Sequence, residues 1–171
     1  MDDLRPFCLF GEINIYANKI TAEGLKHTMP YCFDENKYPG VPKININVIR
    51  PHKSLHVGGL EIIPVEVMHD KMPILGYRIG DLLYITDMKT IDEGEFEYFH
   101  GVKTLVVNAL RFAPEHHSHQ TVADAIAFAR KVGAERTFFT HMGHDIGLHK
   151  ETNKILPDDI KLAFDGQILE I

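Results

Sequence analysis

The sequence predicts an α/β protein, and three observations carry that reading. Apolar, strand-like runs recur between short turns. Two of them, 104–110 and 136–140, bracket a stretch with helical spacing, and three runs stop on a metal-capable side chain: His69, Asp87 and His141. Ligands in an open α/β sheet gather beyond the carboxyl ends of the strands, so three such endings read as one composite metal site. A single histidine is most often a surface or satisfied core residue. The set of three, with a histidine-rich loop between its second and third members, favours the metal reading.

With 171 residues the chain is long enough for one domain with a hydrophobic core. A net charge of -6 disfavours nucleic acid as a partner, because phosphate-backbone binding wants a basic face. Cys8 and Cys32 lack any Cys-x-x-Cys pairing and read as reduced core thiols, which suits a cytoplasmic protein. No apolar run is long enough to span a bilayer, so no membrane partner is expected. The compositional outlier is histidine, with 11 residues, most of them from His69 onward.

Taken in order, Asp2 and Asp3 suit a helix start that nothing caps. Residues 12–16 alternate like a strand, and Thr21 is placed to cap a short helix reaching about Met29. Residues 34–43, with Pro39, Gly40 and Pro42, read as a surface loop, and 44–49 as a half-buried strand of period two. His52 and His56 flank a turn and read as surface residues. Residues 60–68 form a strand whose Pro64 points to an edge or bulge and which delivers His69. Strands at 74–79 and 82–86 meet at a Gly80-Asp81 turn, and the second delivers Asp87.

Residues 92–99 suggest a short acidic, solvated helix with Phe96 and Phe99 turned inward. The run 104–110 is apolar on both faces, as a central covered strand should be. After a polar loop, in which His116 and His117 read as surface residues, a helix is expected from about His119 to Val132, capped by Ser118 and ended by Gly133. The strand 136–140 completes a strand-helix-strand unit with a right-handed crossover, opening the His119 and His141 loops to one side. The tail, 160–171, reads as a hairpin turning on Asp165-Gly166.

Two histidines and an aspartate suit zinc or manganese, with the carboxylate able to bridge two ions. Such a pair acts through a metal-activated water and stabilises charge on a phosphoryl or acyl oxygen. His119, placed at a helix N-terminus, suits holding a substrate phosphate or protonating a leaving group.

His69 followed by Gly76-Tyr77-Arg78-Ile79, the Thr86-Asp87 strand end, Ser118-His119-Gln120-Thr121, Thr140-His141-Met142-Gly143-His144 and the closing Phe164-Asp165-Gly166 together resemble the metallo-β-lactamase-fold phosphodiesterases. The resemblance is to the PhnP-like branch, whose members hydrolyse cyclic phosphodiesters such as phosphoribosyl cyclic phosphate, and it covers essentially the whole chain. It implies an αββα sandwich and two divalent ions, zinc or manganese. His69 would bind the first metal, Asp87 would bridge both and His141 would bind the second, while His119 contacts a small phosphodiester. In some members a histidine placed like His144 joins amino-terminal cysteines in a structural zinc site, and those cysteines have no counterpart in this sequence.

The family's His-x-His-x-Asp-His loop lies just upstream of a Gly-x-Asp-Asp-Leu-Arg segment, and this sequence opens at Met1-Asp2-Asp3-Leu4-Arg5. The expectation is therefore a single domain over 1–171, the carboxyl-terminal two-thirds of the fold, with amino-terminal strands missing and fewer metal ions than the family's two. Two other readings stand beside it. One is a non-catalytic remnant that self-associates through an exposed sheet edge. The other is a different hydrolase, such as a lactonase or an RNA-processing nuclease, the latter disfavoured by the acidic balance.

Overall fold

The structure, a computed structural model, describes residues 2–36, 38 and 40–170; Lys37 and Pro39 of the expected 34–43 loop, Met1 and Ile171 lie outside them. The chain forms two compact units, residues 1–50 and 51–171.

In the first unit, β1 (Ile13–Ala17), α1 (Lys19–Thr28) and β2 (Ile44–Val48) follow a 3-10 helix at Asp2–Phe10. β1 and β2 pair in parallel, with Ile13 opposite Ile44. Parallel neighbours need a crossover, and α1 supplies it. The cap of α1 is Asn18, not Thr21: the Asn18 side chain accepts the Thr21 backbone N–H at 2.8 Å, so Thr21 is the donor being satisfied. Met29, Cys32 and Ile44 form a small buried cluster with Ile15, Phe33 and Ile46 against it. Cys8 and Cys32 are both buried, and Cys8 Sγ accepts the Lys43 backbone N–H at 3.1 Å.

The second unit carries β3 (Leu55–Val57), β4 (Leu60–His69), β5 (Met72–Ile79), β6 (Leu82–Ile85), β7 (Thr104–Asn108), α2 (Val122–Val132), β8 (Arg136–Thr140), α3 (His149–Ile155) and β9 (Ile160–Leu162). Its strands form one seven-stranded sheet in the order β3-β4-β5-β6-β7-β8-β9. β3 to β6 are antiparallel neighbours, and β6 to β9 are parallel. β4, β6, β7 and β8 therefore run the same way and end along one margin of the sheet. All five residues of β7 are buried, as its two apolar faces require. Val65, Val67, Leu83, Ile85, Leu105, Val107 and Phe139 pack in one core with Val122, Ala125, Phe128 and Ala129 of α2, and Phe99 closes it.

Gly76 of β5 is confined by that packing. A Cβ there would lie 2.6 Å from Ile85 Cγ1 and 3.1 Å from Val65 Cγ2, both in the core. Gly76→Ala is expected to cost about 1–3 kcal/mol through overpacking, read as a lowered urea midpoint at unchanged slope.

β3 covers only Leu60, Glu61 and Ile62 of β4. Beyond it the open flank of β4 is closed by other groups. His52 N–H donates to the Pro64 carbonyl at 2.8 Å, Glu66 N–H donates to Glu95 Oε2 at 3.0 Å, and Met68 bridges to Thr90. Pro64 thus sits where its missing N–H faces no partner strand, as the edge expectation required. One expectation holds at this flank and one fails. His52 is exposed, as expected, and there its Nε2 lies 2.9 Å from Glu95 Oε1 and its ring stacks on Tyr98 at 4.2 Å. The segment 92–99 is not solvated throughout: it is a 3-10 helix, Glu93–Phe99, that buries Glu95 because this carboxylate serves the main chain of β4.

α2 begins later than expected. Its cap is Thr121, in a reciprocal capping box with Asp124, so His119 and Ser118 lie in the preceding loop rather than on the helix. Gly133 ends α2 at φ 74, as anticipated. The Asp124 carboxyl feels burial pushing its pKa up, but the Thr121 hydrogen bonds and Lys89 outweigh this and hold it below the ordinary value of 3.8. A folded-state pKa below the unfolded one gives stability that is present above the unfolded value and lost as pH falls through the folded one. Asp124→Ala should cost about 1 kcal/mol at pH 7, as other cap losses do. Paired denaturation curves should show that difference shrinking below about pH 4.

The tail also departs from expectation. β9 does not open a hairpin; it pairs in parallel with β8, Phe138 opposite Lys161, and is reached through α3. A turn does fall at Asp165-Gly166, but residues 167–170 form no strand. Among the described residues no helix is long and apolar enough to cross a membrane.

Candidate metal centre

The shared margin of β4, β6, β7 and β8 gathers the histidines. β6 stops at Ile85, and two residues later Asp87 adopts a left-handed backbone at φ 58. Its turn is held by Asn108, the last residue of β7 and fully buried, whose Oδ1 accepts Met88 N–H at 2.8 Å and whose Nδ2 donates to the Met88 carbonyl at 2.9 Å. The Thr86 hydroxyl donates to Asp87 Oδ2 at 2.9 Å. That leaves Oδ1 to face the histidines.

His119 Nε2 and His141 Nε2 each lie 3.2 Å from Asp87 Oδ1, and their rings stack at 4.7 Å. His141 also sits in the left-handed region, at φ 55, directly after β8. The β8 end is tied to the β7 end by Ala109 N–H to the Thr140 carbonyl at 3.0 Å and Gly143 N–H to the Leu110 carbonyl at 2.8 Å. His69 closes the β4–β5 ladder opposite Met72, and its ring meets His119 edge-on at 4.8 Å. One ligand atom from each of His69, Asp87 and His119 lies within 4.8 Å of the others. Beside them is an open pocket of about 350 Å³ lined by His69, Met72, Ile74, Leu75, Thr86 and Asp87.

The electrostatics suit a cation. Burial raises the Asp87 pKa, but the hydrogen bonds from Thr86 and His119 and the charges of His141 and His119 outweigh it, so the carboxyl stays below the ordinary range. His119 is pushed down, first by burial and then by His141 and His69, against the pull of Asp87. A carboxylate beside imidazole nitrogens is the donor set of a zinc or manganese site, so the residues fit the expected ion.

Of the residues singled out from sequence, His69, Asp87, His119 and His141 come together here. His144 does not join them; its side chain is 96% exposed and pairs with Asp145 at 3.3 Å. Sequence reasoning missed Asn108 and His116. The signal for Asn108 was a lone amide inside an apolar run. His116 lies 3.0 Å, Nδ1 to Nδ1, from His119, with Ser118 Oγ bridging the two rings, and had read as a surface residue.

This sheet with histidines and an aspartate at the ends of its strands defines a metallo-β-lactamase-type protein. Residues 1–142 match the beta-lactamase superfamily domain, and the chain belongs to that superfamily, a family of metallo-β-lactamase-fold hydrolases. A diphosphatase from the PhnP family superposes with a TM-score of 0.87 at 35% identity, over 99% of this chain and 65% of that one. An octanoyltransferase from Porphyromonas gingivalis (strain ATCC BAA-308 / W83) is 36% identical over 166 residues, which is 97% of this chain and 34% of that protein. A metallo-beta-lactamase fold protein from Bacillus subtilis shares the fold, with a TM-score of 0.72 at 18% identity over 97% of this chain and 68% of its own. The chain thus spans about a third of the octanoyltransferase and just under two thirds of the diphosphatase.

Proposed function

We propose that this chain carries the site of a metal-dependent phosphodiesterase acting on a small phosphodiester, linear or cyclic, in the cytoplasm. The observation behind this reading is the approach of two imidazole Nε2 atoms, from His119 and His141, to one oxygen of Asp87, with His69 beside them. Asp87 would bridge, and His69 and His141 would complete the holding of a zinc or manganese ion. When bound, the ion supplies Lewis acidity toward water and toward the phosphoryl group. His119 orients toward the substrate from its place between Asp87 and the His116 loop. Thr86 and Asn108 keep the carboxylate aimed.

A phosphorus ester is favoured over other substrates by the likeness to the PhnP-family diphosphatase. The name octanoyltransferase describes a protein of which this chain matches 34%. The test is to chelate the purified full-length protein, reload it with zinc or manganese, and assay a panel of linear and cyclic phosphodiesters against a lactone. Metal-restored hydrolysis of the diesters is expected. Turnover that survives chelation, or turnover of the lactone alone, would refute the reading.

A further inference from the structure

With His69 and Asp87 taken as ligands of one metal site, as in the proposed function, we infer that Glu95 is a positioning residue for that site. Its buried carboxylate clamps the segment that carries Asp87 onto the strand that carries His69. The two ligands come from different stretches of chain, so their spacing depends on what joins those stretches sideways. β5 holds β4 along one flank, from Ile62 to His69. On the other flank the backbone groups of every second residue, Pro64, Glu66 and Met68, point outward. Met68, next to His69, pairs with Thr90 in an isolated antiparallel bridge. Its N–H donates to the Thr90 carbonyl at 2.9 Å, and its carbonyl accepts Lys89 N–H at 2.7 Å. The main chain then leaves β4 for the 3-10 helix Glu93–Phe99, and there Glu95 takes over: its Oε2 accepts Glu66 N–H at 3.0 Å, as a partner strand's carbonyl would. The segment after Asp87 therefore grips β4 twice, by backbone at Met68 and by this carboxylate at Glu66.

Glu95 is only 7% exposed, and burying a carboxylate is costly unless it is well partnered. His52 supplies the second partner, with its Nε2 at 2.9 Å and 3.0 Å from the two Glu95 oxygens and its ring stacked on Tyr98. The backbone N–H of the same His52 donates to the Pro64 carbonyl at 2.8 Å, so one residue holds both the clamp and the next outward group of β4. The 3-10 helix is fixed in turn, because Phe99 lies in the core and the Tyr98 carbonyl accepts from Arg78 Nη1 at 2.6 Å. A carboxylate aimed at one amide from a fixed helix is a stiff brace, and a ligand pair needs stiff surroundings to keep its spacing. Glu95 acts through Glu66 and Met68, not by touching the ligands.

The experiment combines amide hydrogen exchange with zinc calorimetry on the full-length protein, so neither readout needs catalysis. In Glu95→Ala the Glu66 and Met68 amides should exchange about 10- to 100-fold faster, the loss expected for a hydrogen bond to a charged group, while the Val106 and Val107 amides of β7 stay slow. The zinc Kd should rise about 10-fold, the low end of the range seen when groups that orient a ligand are removed. Glu95→Gln keeps an oxygen for Glu66 N–H and should restore most of both. Linkage gives a check that needs no variant to fold: zinc added to the wild-type protein should slow exchange at Glu66. An Ala variant that binds zinc as the wild type does, or a wild-type Glu66 amide indifferent to bound zinc, overturns this role and leaves the metal site standing. A wild-type protein that binds no zinc removes the metal reading and this role with it.

Discussion

Asp87→Ala is expected to abolish metal-dependent phosphodiester hydrolysis, with turnover lowered on the order of 10³-fold or more. A metal ion contributes several kcal/mol to stabilising developing charge, and each 1.36 kcal/mol is a decade in rate. Asp87 carries that weight because its Oδ1 is the atom that both His119 and His141 approach. Asp87→Asn is the companion variant: it keeps the shape and the Thr86 hydrogen bond but not the charge, and should also lose metal affinity by calorimetry. His69→Ala and His141→Ala should follow the same direction. Wild-type turnover in the Asp87 variants would remove the metal role assigned to this residue.

Asn108→Ala has the largest expected effect on stability. The side chain is fully buried and both ends are spent on Met88, which is itself fully buried. The Met88 carbonyl keeps a second partner in Gln120 N–H at 3.2 Å, but the Met88 N–H is left with none of its present bonding. An orphaned buried donor together with the space left behind should cost about 2–4 kcal/mol in urea unfolding. Zinc affinity should weaken as well, because the backbone next to Asp87 loses its anchor. A variant with unchanged stability and unchanged zinc binding would show that Asn108 does not set the Asp87 turn.

Much of the sheet was legible because its burial is written in period: the all-apolar run at β7, the alternating runs at β1 and β2, and the Gly80-Asp81 turn all match. The gathering of His69, Asp87 and His141 was legible as three strand endings, since parallel strands put their carboxyl ends on one margin. What was not legible depended on partners far along the chain. Glu95 looked solvated because nothing in its sequence neighbourhood shows that it meets His52 and the main chain of β4. Ser118 looked like a helix cap, but its hydroxyl is taken by two histidine rings, and the Thr121–Asp124 box starts the helix. α3 is only seven residues long, too short for its spacing to announce it, and without it β9 read as a hairpin arm.

The order of the seven-stranded sheet has a kinetic meaning. From β3 to β9 every strand lies beside its predecessor in the chain. No strand has to be threaded between two that are already paired, and each closure spans only the loop or helix just synthesised. Loop-closure entropy is therefore met in small steps, which favours rapid folding for a sheet this wide. It also means that this unit can grow strand by strand as it leaves the ribosome, with each newly emerged strand docking on the last. The histidine-bearing margin then matures late, because His141 arrives only after β8 has been laid against β7.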